Sequence, residues 1–310
     1  MLRLRSLAPA VLLALSAGSP SASASSYGII RTHTGFALLF SLAVDAQGNL
    51  YTADQKRFQV VKLSPSGHLL RSFPMPRQCG VSGVAVASSG DVYAVANCQG
   101  YVYRFSPAGH LLARFGRFAQ GPDANGVAAD RQGRVYVAYG NPPGQPVTRP
   151  PPGRAPPPPP TSSRIGEFTA DGRLTRTVSV QGVGEAFGIA VDRGGNVYLT
   201  GLQGLVKVSP AGHVLGRWSQ AAPGPNVLPG QPAVDGQGDV YTPNGLGEII
   251  EISAGGRLLG RIIRHGSAPG SVQQPVGVAI GGGHLFVADA GPNRIKGFTL
   301  SGGLLAIWTP

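Results

Sequence analysis

The sequence has few of the residue types that most often build metal and catalytic sites. Its 310 residues include 14 acidic residues, 6 histidines and 2 cysteines, and no glutamate precedes Glu167. After the N-terminus, no segment has the ~20 consecutive apolar residues that a transmembrane helix needs. The sequence therefore predicts no membrane span, and its two cysteines allow at most one intrachain disulfide.

The N-terminus has the order of segments typical of a secretory signal peptide. Two arginines in MLRLR precede the apolar run SLAPAVLLALSAG, and small residues follow. Ala22, Ser23 and Ala24 form an A-x-A cleavage site, so we expect a signal peptide at 1–24 and a mature chain beginning near Ser25. This pattern predicts a secreted protein, either extracellular or periplasmic.

Basic residues outnumber acidic residues in this chain. The 26 lysines and arginines give a formal net charge of +12, which favours anionic partners. Nucleic acid is not expected among them, because the chain lacks the interleaved aromatic and basic residues of single-strand binders. The expected partner is a protein or an anionic component of the cell envelope.

One sequence unit occurs six times. The copies are VDAQGNLY, VASSGDVY, ADRQGRVY, VDRGGNVY, VDGQGDVY and the shorter IGGGHLF. Their common glycines are Gly48, Gly90, Gly133, Gly195, Gly238 and Gly283, at intervals of 42, 43, 62, 43 and 45 residues. The long interval contains a proline-rich insert at 141–164, which we expect to form an extended polyproline II arm.

Each unit reads as four short strands joined by tight turns, because apolar and polar residues alternate and turn residues are frequent. Four antiparallel strands in about 42 residues make one blade of a β-propeller. The predicted fold is all-β, a six-bladed propeller at 38–310 with four-stranded antiparallel blades. The blades are expected at about 38–75, 80–117, 123–179, 186–219, 229–263 and 274–310.

Residues 25–37 remain as a lead-in to the propeller. Their segment YGIIRTHT alternates enough to add an edge strand or to pair across the seam of the ring, and the sequence leaves both alternatives open.

Equivalent positions in the repeat predict the packing. Small residues suit the crowded axis, and the first strands share an alanine at Ala43, Ala85, Ala128, Ala190, Ala233 and Ala279. The second strands share an aromatic residue at Tyr51, Tyr93, Tyr136, Tyr198, Tyr241 and Phe286. Six aromatic residues in register indicate a core between blades rather than a ligand platform.

Repeated positions also account for residues that suggest chemistry. Three histidines follow the glycine of one turn in different blades, namely His68, His110 and His213. We interpret them as turn residues, since metal ligands must converge on one ion. Four aspartates open D-x-x-G turns, where a carboxylate accepts backbone hydrogen bonds. These are Asp45, Asp130, Asp192 and Asp235.

The units resemble NHL repeats, most clearly in GIAVDRGGNVYLTG, in LAVDAQGNLYTADQKRFQVVKLSPSGHLL and in PVGVAI with HLFVADAGPNRIKGFTLSGGLL. The resemblance covers nearly all of 38–308 and implies a binding platform. The same broad group contains enzymes: gluconolactonase-like propellers hold a divalent metal in the channel through Glu, Asn and Asp, and streptogramin-lyase-like propellers use histidine and metal. This chain departs from both, since its equivalent channel positions are Ser41, Gly83, Gly126, Gly188, Gln231 and Gly277.

The expected function is therefore a non-enzymatic binding or scaffolding module, a monomer with no catalytic residues, metal or cofactor, acting through its loop-rich face. The cations expected on that face are Lys56, Arg57, Arg77, Arg117, Arg149, Arg154, Arg264 and Arg294. A metal-dependent propeller hydrolase or lyase with its site in the central channel is the alternative. An extracellular domain that senses a small molecule is the second alternative.

The two cysteines are expected to form a disulfide. Cys79 precedes the first strand of blade two and Cys98 follows its second strand, so antiparallel pairing places them side by side. Export makes this bond permissible, and we interpret it as a staple without a catalytic role.

Overall fold

The computed structural model describes residues 27–31, 39–76, 79–96, 100–116, 118, 124–140, 162–219 and 230–309. These ranges form twenty-five β-strands and contain no helix, and therefore none that is long and apolar enough to cross a membrane. The predicted signal peptide at 1–24 and residues 141–161 of the insert lie outside them.

The predicted all-β, six-bladed propeller is confirmed, because the strands form six separate sheets of antiparallel neighbours. A first strand, β1 (Gly28–Arg31), precedes the blades. Blade one has β2 (Leu39–Val44), β3 (Leu50–Asp54), β4 (Gln59–Leu63) and β5 (Leu69–Pro74). Blade two has β6 (Val81–Val86), β7 (Val92–Ala96), β8 (Tyr101–Phe105) and β9 (Leu111–Phe115). Blade three has β10 (Ala124–Ala129), β11 (Val135–Tyr139), β12 (Ser162–Phe168) and β13 (Leu174–Gln181).

The other three blades repeat this arrangement. Blade four has β14 (Ala186–Val191), β15 (Val197–Gly201), β16 (Gly204–Val208) and β17 (Val214–Ser219). Blade five has β18 (Ala233–Val234), β19 (Val240–Pro243), β20 (Ile249–Ile252) and β21 (Leu258–Ile263). Blade six has β22 (Pro275–Gly281), β23 (His284–Asp289), β24 (Arg294–Thr299) and β25 (Leu304–Thr309). In every blade the strands are ordered from first to fourth across the sheet.

Blade six has a fifth strand. β1 pairs in parallel with β25, with Gly28 opposite Ala306 and Arg31 opposite Thr309. Ile30 packs into the hydrophobic cluster shared by blades six and one. The N-terminal segment is thus an edge strand on the last blade that also contacts the first.

The tight turns have two repeated forms. In the first, Asp45 and Asn49 are joined across the turn by a 3.1 Å backbone hydrogen bond, and Gly48 has a φ of +79°. In the second, Pro65 lies in a turn that closes between Ser64 and His68 at 2.8 Å, and Gly67 has a φ of +84°. Only glycine adopts these angles without strain, which explains why glycine recurs at the same position in every unit.

The core lies between the blades. Six clusters of buried apolar residues are present, one at each boundary between neighbouring blades, including the boundary of blades six and one. The five repeated tyrosines are at most 2% exposed and Phe286 is 8% exposed. The prediction that these aromatic residues form a core between blades is confirmed.

The first strands surround a narrow central channel. Alanines of all six first strands line it, as predicted, together with valine and isoleucine side chains. Its two ends open on different faces. The loop face carries the connections between blades and the loops between second and third strands, and the turn face carries the two forms of tight turn.

Candidate functional site

Four of the eight predicted loop-face cations are within the described ranges. Lys56, Arg57, Arg264 and Arg294 are all exposed on loops or strand ends of this face. Arg57 forms an ion pair with the buried carboxylate of Asp54 at 3.4 Å. The others, Arg77, Arg117, Arg149 and Arg154, lie outside the described residues.

The acid at the end of the second strand in blade six has a structural role on the loop face. Asp289 is fully buried, and one carboxylate oxygen accepts the backbone N–H groups of Gln273 and Gln274 at 3.0 and 2.8 Å. The ammonium of Lys296 lies 3.2 Å from the other oxygen and donates to the carbonyl of Ser271. This buried pair fixes the connection from blade five to blade six, and neither group is available to a ligand.

Only one cysteine of the predicted disulfide lies within the described residues. Cys79 is buried, at 2% exposure, in the cluster between blades one and two. Cys98 lies outside the described residues, so the disulfide remains a prediction.

The three repeated histidines lie in exposed turns between third and fourth strands. His68, His110 and His213 each donate their backbone N–H to a serine hydroxyl four residues earlier, at 3.0 to 3.1 Å. The turn interpretation therefore accounts for their positions. Among the described residues, no three His, Cys, Asp or Glu side chains are grouped so as to hold a metal ion.

At the loop face, polar side chains cross the channel. The Ser41 hydroxyl of blade one donates to the Gln231 amide oxygen of blade five, although blade six lies between these blades. The same hydroxyl accepts the backbone N–H of Val84 in blade two at 3.0 Å. Nearby, the buried amide of Asn125 donates to the carbonyl of Ala186 at 3.0 Å. Each of these polar groups has a hydrogen-bond partner, and the contact between Ser41 and Gln231 forms a bridge across the channel at this end.

Glycine allows the strands to approach closely at the same end. A Cβ on Gly188 would lie 2.5 Å from the Cα of Gln231, and one on Gly126 would lie 3.2 Å from the Cα of Gly188. A side chain at Gly188 would force the backbone of Gln231 to move, and one at Gly126 would require a smaller shift. The channel glycines therefore allow the backbones of neighbouring first strands to lie close together at the loop end.

At the turn face, the predicted role of the repeated aspartates is confirmed. One Asp192 oxygen accepts the backbone N–H groups of Gly194 and Asn196, at 2.9 and 2.8 Å. The other accepts the Asn196 amide and the Tyr198 hydroxyl, at 2.8 and 3.2 Å. Asp45 makes the same four contacts in blade one and also pairs with Lys62 at 3.2 Å. These carboxylates stabilise their own turns and accept a hydrogen bond from the tyrosine hydroxyl of the strand that follows.

Burial and hydrogen bonding at these turns shift the pKa values of Asp45 and Tyr198 in opposite directions. Burial alone would raise the pKa of Asp45, but hydrogen bonds from Asn49, Lys62 and Tyr51 outweigh it and lower the pKa below 3.8. Burial and the neighbouring carboxylate of Asp192 raise the pKa of Tyr198 well above that of free tyrosine. Asp45 thus stays ionised and Tyr198 stays protonated near neutral pH.

The channel opens on the turn face into a cavity of about 680 Å³, which we call the mouth. Behind it, a space of about 190 Å³ continues between the first strands. The residue that follows the first position of each D-x-x-G turn lies at the rim of the mouth. In blades one to six these residues are Ala46, Ser88, Arg131, Arg193, Gly236 and Gly282.

Sequence reasoning missed the mouth because it placed binding on the loop face. The signal was the second position of the D-x-x-G turn, which directly follows the strand that lines the axis. Arg131 and Arg193 occupy this position in adjacent blades. Knowing that all six turns surround one opening would have identified both arginines.

Comparisons with known proteins agree with this architecture. The NHL repeat family matches residues 272–298, within blade six and the connection before it. No curated protein matches the sequence.

Solved structures of similar shape include virginiamycin B lyase from Staphylococcus aureus. It has 16% identity and a TM-score of 0.60, covering 86% of this chain and 83% of that one. A gluconolactonase from Xanthomonas campestris has 18% identity and a TM-score of 0.59, covering 83% and 84%. Nidogen in its complex with laminin has 16% identity and a TM-score of 0.60, covering 84% and 93%.

At 16–18% sequence identity, these structural similarities show a shared fold and do not establish a shared function. The chain is therefore a six-bladed β-propeller that contains an NHL repeat in its last blade.

Proposed function

We propose that this chain is an exported, non-enzymatic binding module that holds a protein or an anionic envelope component on its loop face. The observation that carries the proposal is the set of exposed cations on the loop face, Lys56, Arg264 and Arg294, around the hydrogen bond by which Ser41 and Gln231 bridge the channel. Lys56, Arg264 and Arg294 belong to blades one, five and six or to the loops that adjoin them. Cations spread over several blades suit a macromolecule that spans the face better than a small substrate.

The charge of the chain supports the same proposal. Lys56, Arg264 and Arg294 have no ion-pair partner among the described residues, and the net charge of the full sequence is +12. Free surface cations attract an acidic partner over about one Debye length, roughly 8 Å at physiological salt. Nidogen, which has this fold, was solved in a complex with another protein, so the fold is compatible with protein binding.

A charge-matched pair of variants tests the face. In one, Arg264 and Arg294 are replaced by glutamine on the loop face. In the other, Arg173 and Arg257 are replaced by glutamine in exposed turns of the opposite face. We expect binding to immobilised polyglutamate or polygalacturonate to weaken at least about fivefold in the first and to stay unchanged in the second. Equal losses in both would refute a specific loop face.

The metal-enzyme alternative has a separate test. Thermal unfolding of the chelated protein is compared with and without Ca²⁺, Mg²⁺, Mn²⁺ and Zn²⁺. A site filled at a hundredfold its dissociation constant adds about 2.7 kcal/mol of stability, which raises Tm by several degrees in a domain of this size. We expect no such shift. A clear rise with one ion would contradict the non-enzymatic proposal and favour the hydrolase or lyase.

Export is tested at the N-terminus. We expect the protein recovered from the periplasm or medium of a bacterial host to begin near Ser25, as N-terminal sequencing would show. Recovery of the protein only in the cytoplasm, with Met1 retained, would contradict export.

A further inference from the structure

The mouth on the turn face has the size of a ligand site. Its volume of about 680 Å³ falls within the range of about 300–1,000 Å³ typical of small-molecule pockets. The space behind it, about 190 Å³, is smaller than such pockets. A ligand would therefore occupy the mouth itself and extend only a short way into the channel.

The acceptors at the mouth are already used. Both Asp192 oxygens accept hydrogen bonds from their own turn and from Tyr198. Asp130 binds its turn, the hydroxyl of Tyr136 and the guanidinium of Arg134 in the same way. In blade five, one oxygen of Asp235 accepts two backbone N–H groups at 2.9 Å. The carboxylates are therefore mostly occupied by the fold.

The strongest donors at the mouth are unused. Arg131 and Arg193 are exposed, and within the described ranges neither guanidinium has a hydrogen-bond or ion-pair partner. Arg134, three residues from Arg131, instead pairs with Asp130 at 2.6 Å and with Glu167 at 3.3 Å. Each guanidinium offers five N–H donors in a planar fork that matches a carboxylate or a phosphate.

The Arg193 side chain extends along the rim of the mouth toward blade five. A Cβ on Gly236 of blade five would lie 3.3 Å from a guanidinium nitrogen of Arg193. The guanidinium therefore lies beside the neighbouring turn, and a larger residue than glycine at position 236 would require it to shift slightly. Gly236 leaves room for the guanidinium beside the opening.

We propose that the mouth on the turn face binds a small organic acid, through its carboxylate or phosphate group, by means of Arg131 and Arg193. The ligand supplies the acceptors that the site lacks, and its remaining atoms fill the opening above the channel. This site is separate from the loop face and does not depend on the macromolecular partner proposed above.

Binding is measured by isothermal titration calorimetry on the purified chain with three probes: citrate, glucuronate and inorganic phosphate. A response to glucuronate or citrate alone identifies a carboxylate ligand, and a response to phosphate identifies a phosphate ligand. We expect saturable binding of at least one probe. Absence of binding by all three, at low and at physiological salt, would overturn the proposal.

Variants locate the site. Replacing Arg131 and Arg193 by glutamine is expected to weaken binding at least about tenfold, because each charge-assisted hydrogen bond contributes enough for that factor. The control is R173Q with R257Q, which removes the same charge from exposed turns outside the mouth. Equal weakening in both double variants would mean nonspecific attraction and would overturn the proposal.

A third variant leaves both arginines in place. Ala46→Asp adds a carboxylate at the equivalent exposed position of blade one, and it is expected to weaken binding by repulsion. Near-ultraviolet circular dichroism verifies that each variant is folded. Unchanged affinity in A46D, together with unchanged affinity in the arginine variant, would exclude the mouth as the binding site.

Discussion

The two ends of the central channel are built by the same six strands but differ in what fills them. At the loop face, backbones meet at Gly126 and Gly188, and Ser41 and Gln231 bridge the opening. At the turn face, each blade presents one turn residue to an open mouth, and two of these residues are arginines without a partner in the part of the chain that the structure describes. The repeated backbone thus tolerates few side chains other than that of glycine at the loop end, whereas the turn end accepts different side chains from blade to blade.

This difference suggests that residues at the loop end of the channel determine stability, whereas residues at the rim of the mouth determine binding. Contacts at the loop end involve backbone atoms of neighbouring blades, so a change there must move whole strands. Side chains at the mouth lie beyond the turn that holds them, so they can change while the turn stays intact. We therefore expect substitutions at the loop end to affect unfolding, and substitutions at the rim of the mouth to affect binding.

The largest expected effect is that of Gly188→Ala. Its methyl group would lie 2.5 Å from the Cα of Gln231 and 2.8 Å from the carbonyl oxygen of Gly230. We expect a loss of about 3 kcal/mol in the free energy of unfolding, measured by urea denaturation. The matched control is Gly255→Ala, an exposed turn position with no atom within 4 Å, where the change should stay within about 1 kcal/mol. Similar losses at both positions would contradict the close packing of the loop end.

The turn-face carboxylates are expected to have a smaller effect, graded by their contacts. Asp192→Ala removes four hydrogen bonds, including the one from Tyr198, and should destabilise by about 2–3 kcal/mol. Asp235→Ala removes two backbone hydrogen bonds, since the hydroxyl of Tyr241 binds Glu251 instead, and should destabilise by about 1 kcal/mol. Urea denaturation measures both, and equal losses would show that the Asn196 amide and the Tyr198 hydroxyl contribute nothing through Asp192.

The pH dependence provides a third effect. Because the folded state raises the pKa of Tyr198, stability is full below about pH 10 and falls as pH rises further. The free energy of unfolding of Tyr198→Phe should be about 1 kcal/mol lower than that of the wild type at pH 8. Above pH 10 it should fall less steeply with pH than that of the wild type, and the slopes should differ by up to about 1.4 kcal/mol per pH unit, the effect of one proton. Denaturation curves between pH 8 and pH 11.5 test this, and parallel curves for both proteins would argue against the shifted tyrosine.

The smallest effect is expected at the outer turns of the same face. Replacing His68, His110 and His213 together by glutamine should change the free energy of unfolding by less than about 0.5 kcal/mol per residue, because all three side chains are exposed. Metal titration of the same variant should match the wild type. A metal affinity that disappears with these histidines would contradict their assignment as turn residues.

The fold could be predicted from the sequence because the repeat fixes it locally. Gly48 and Gly67 mark two turn types, Tyr51 marks the second strand, and every unit repeats this order. The bridge across the channel at the loop end was harder to predict, since Ser41 and Gln231 are 190 residues apart and meet only when the ring forms. The mouth was missed for the same reason: Arg131 and Arg193 look like ordinary turn residues until six turns are placed around one axis.

The pairing of β1 with β25 bears on the order in which the molecule folds. The contact between Gly28 and Ala306 closes a loop of roughly 280 residues, whose closure in a flexible chain costs about 5 kcal/mol of entropy. That cost falls sharply once the blades between them have formed, because stacked blades hold the two ends near each other. β1 is therefore expected to dock last, and blade six keeps a bare edge until a strand from the opposite end of the polypeptide arrives.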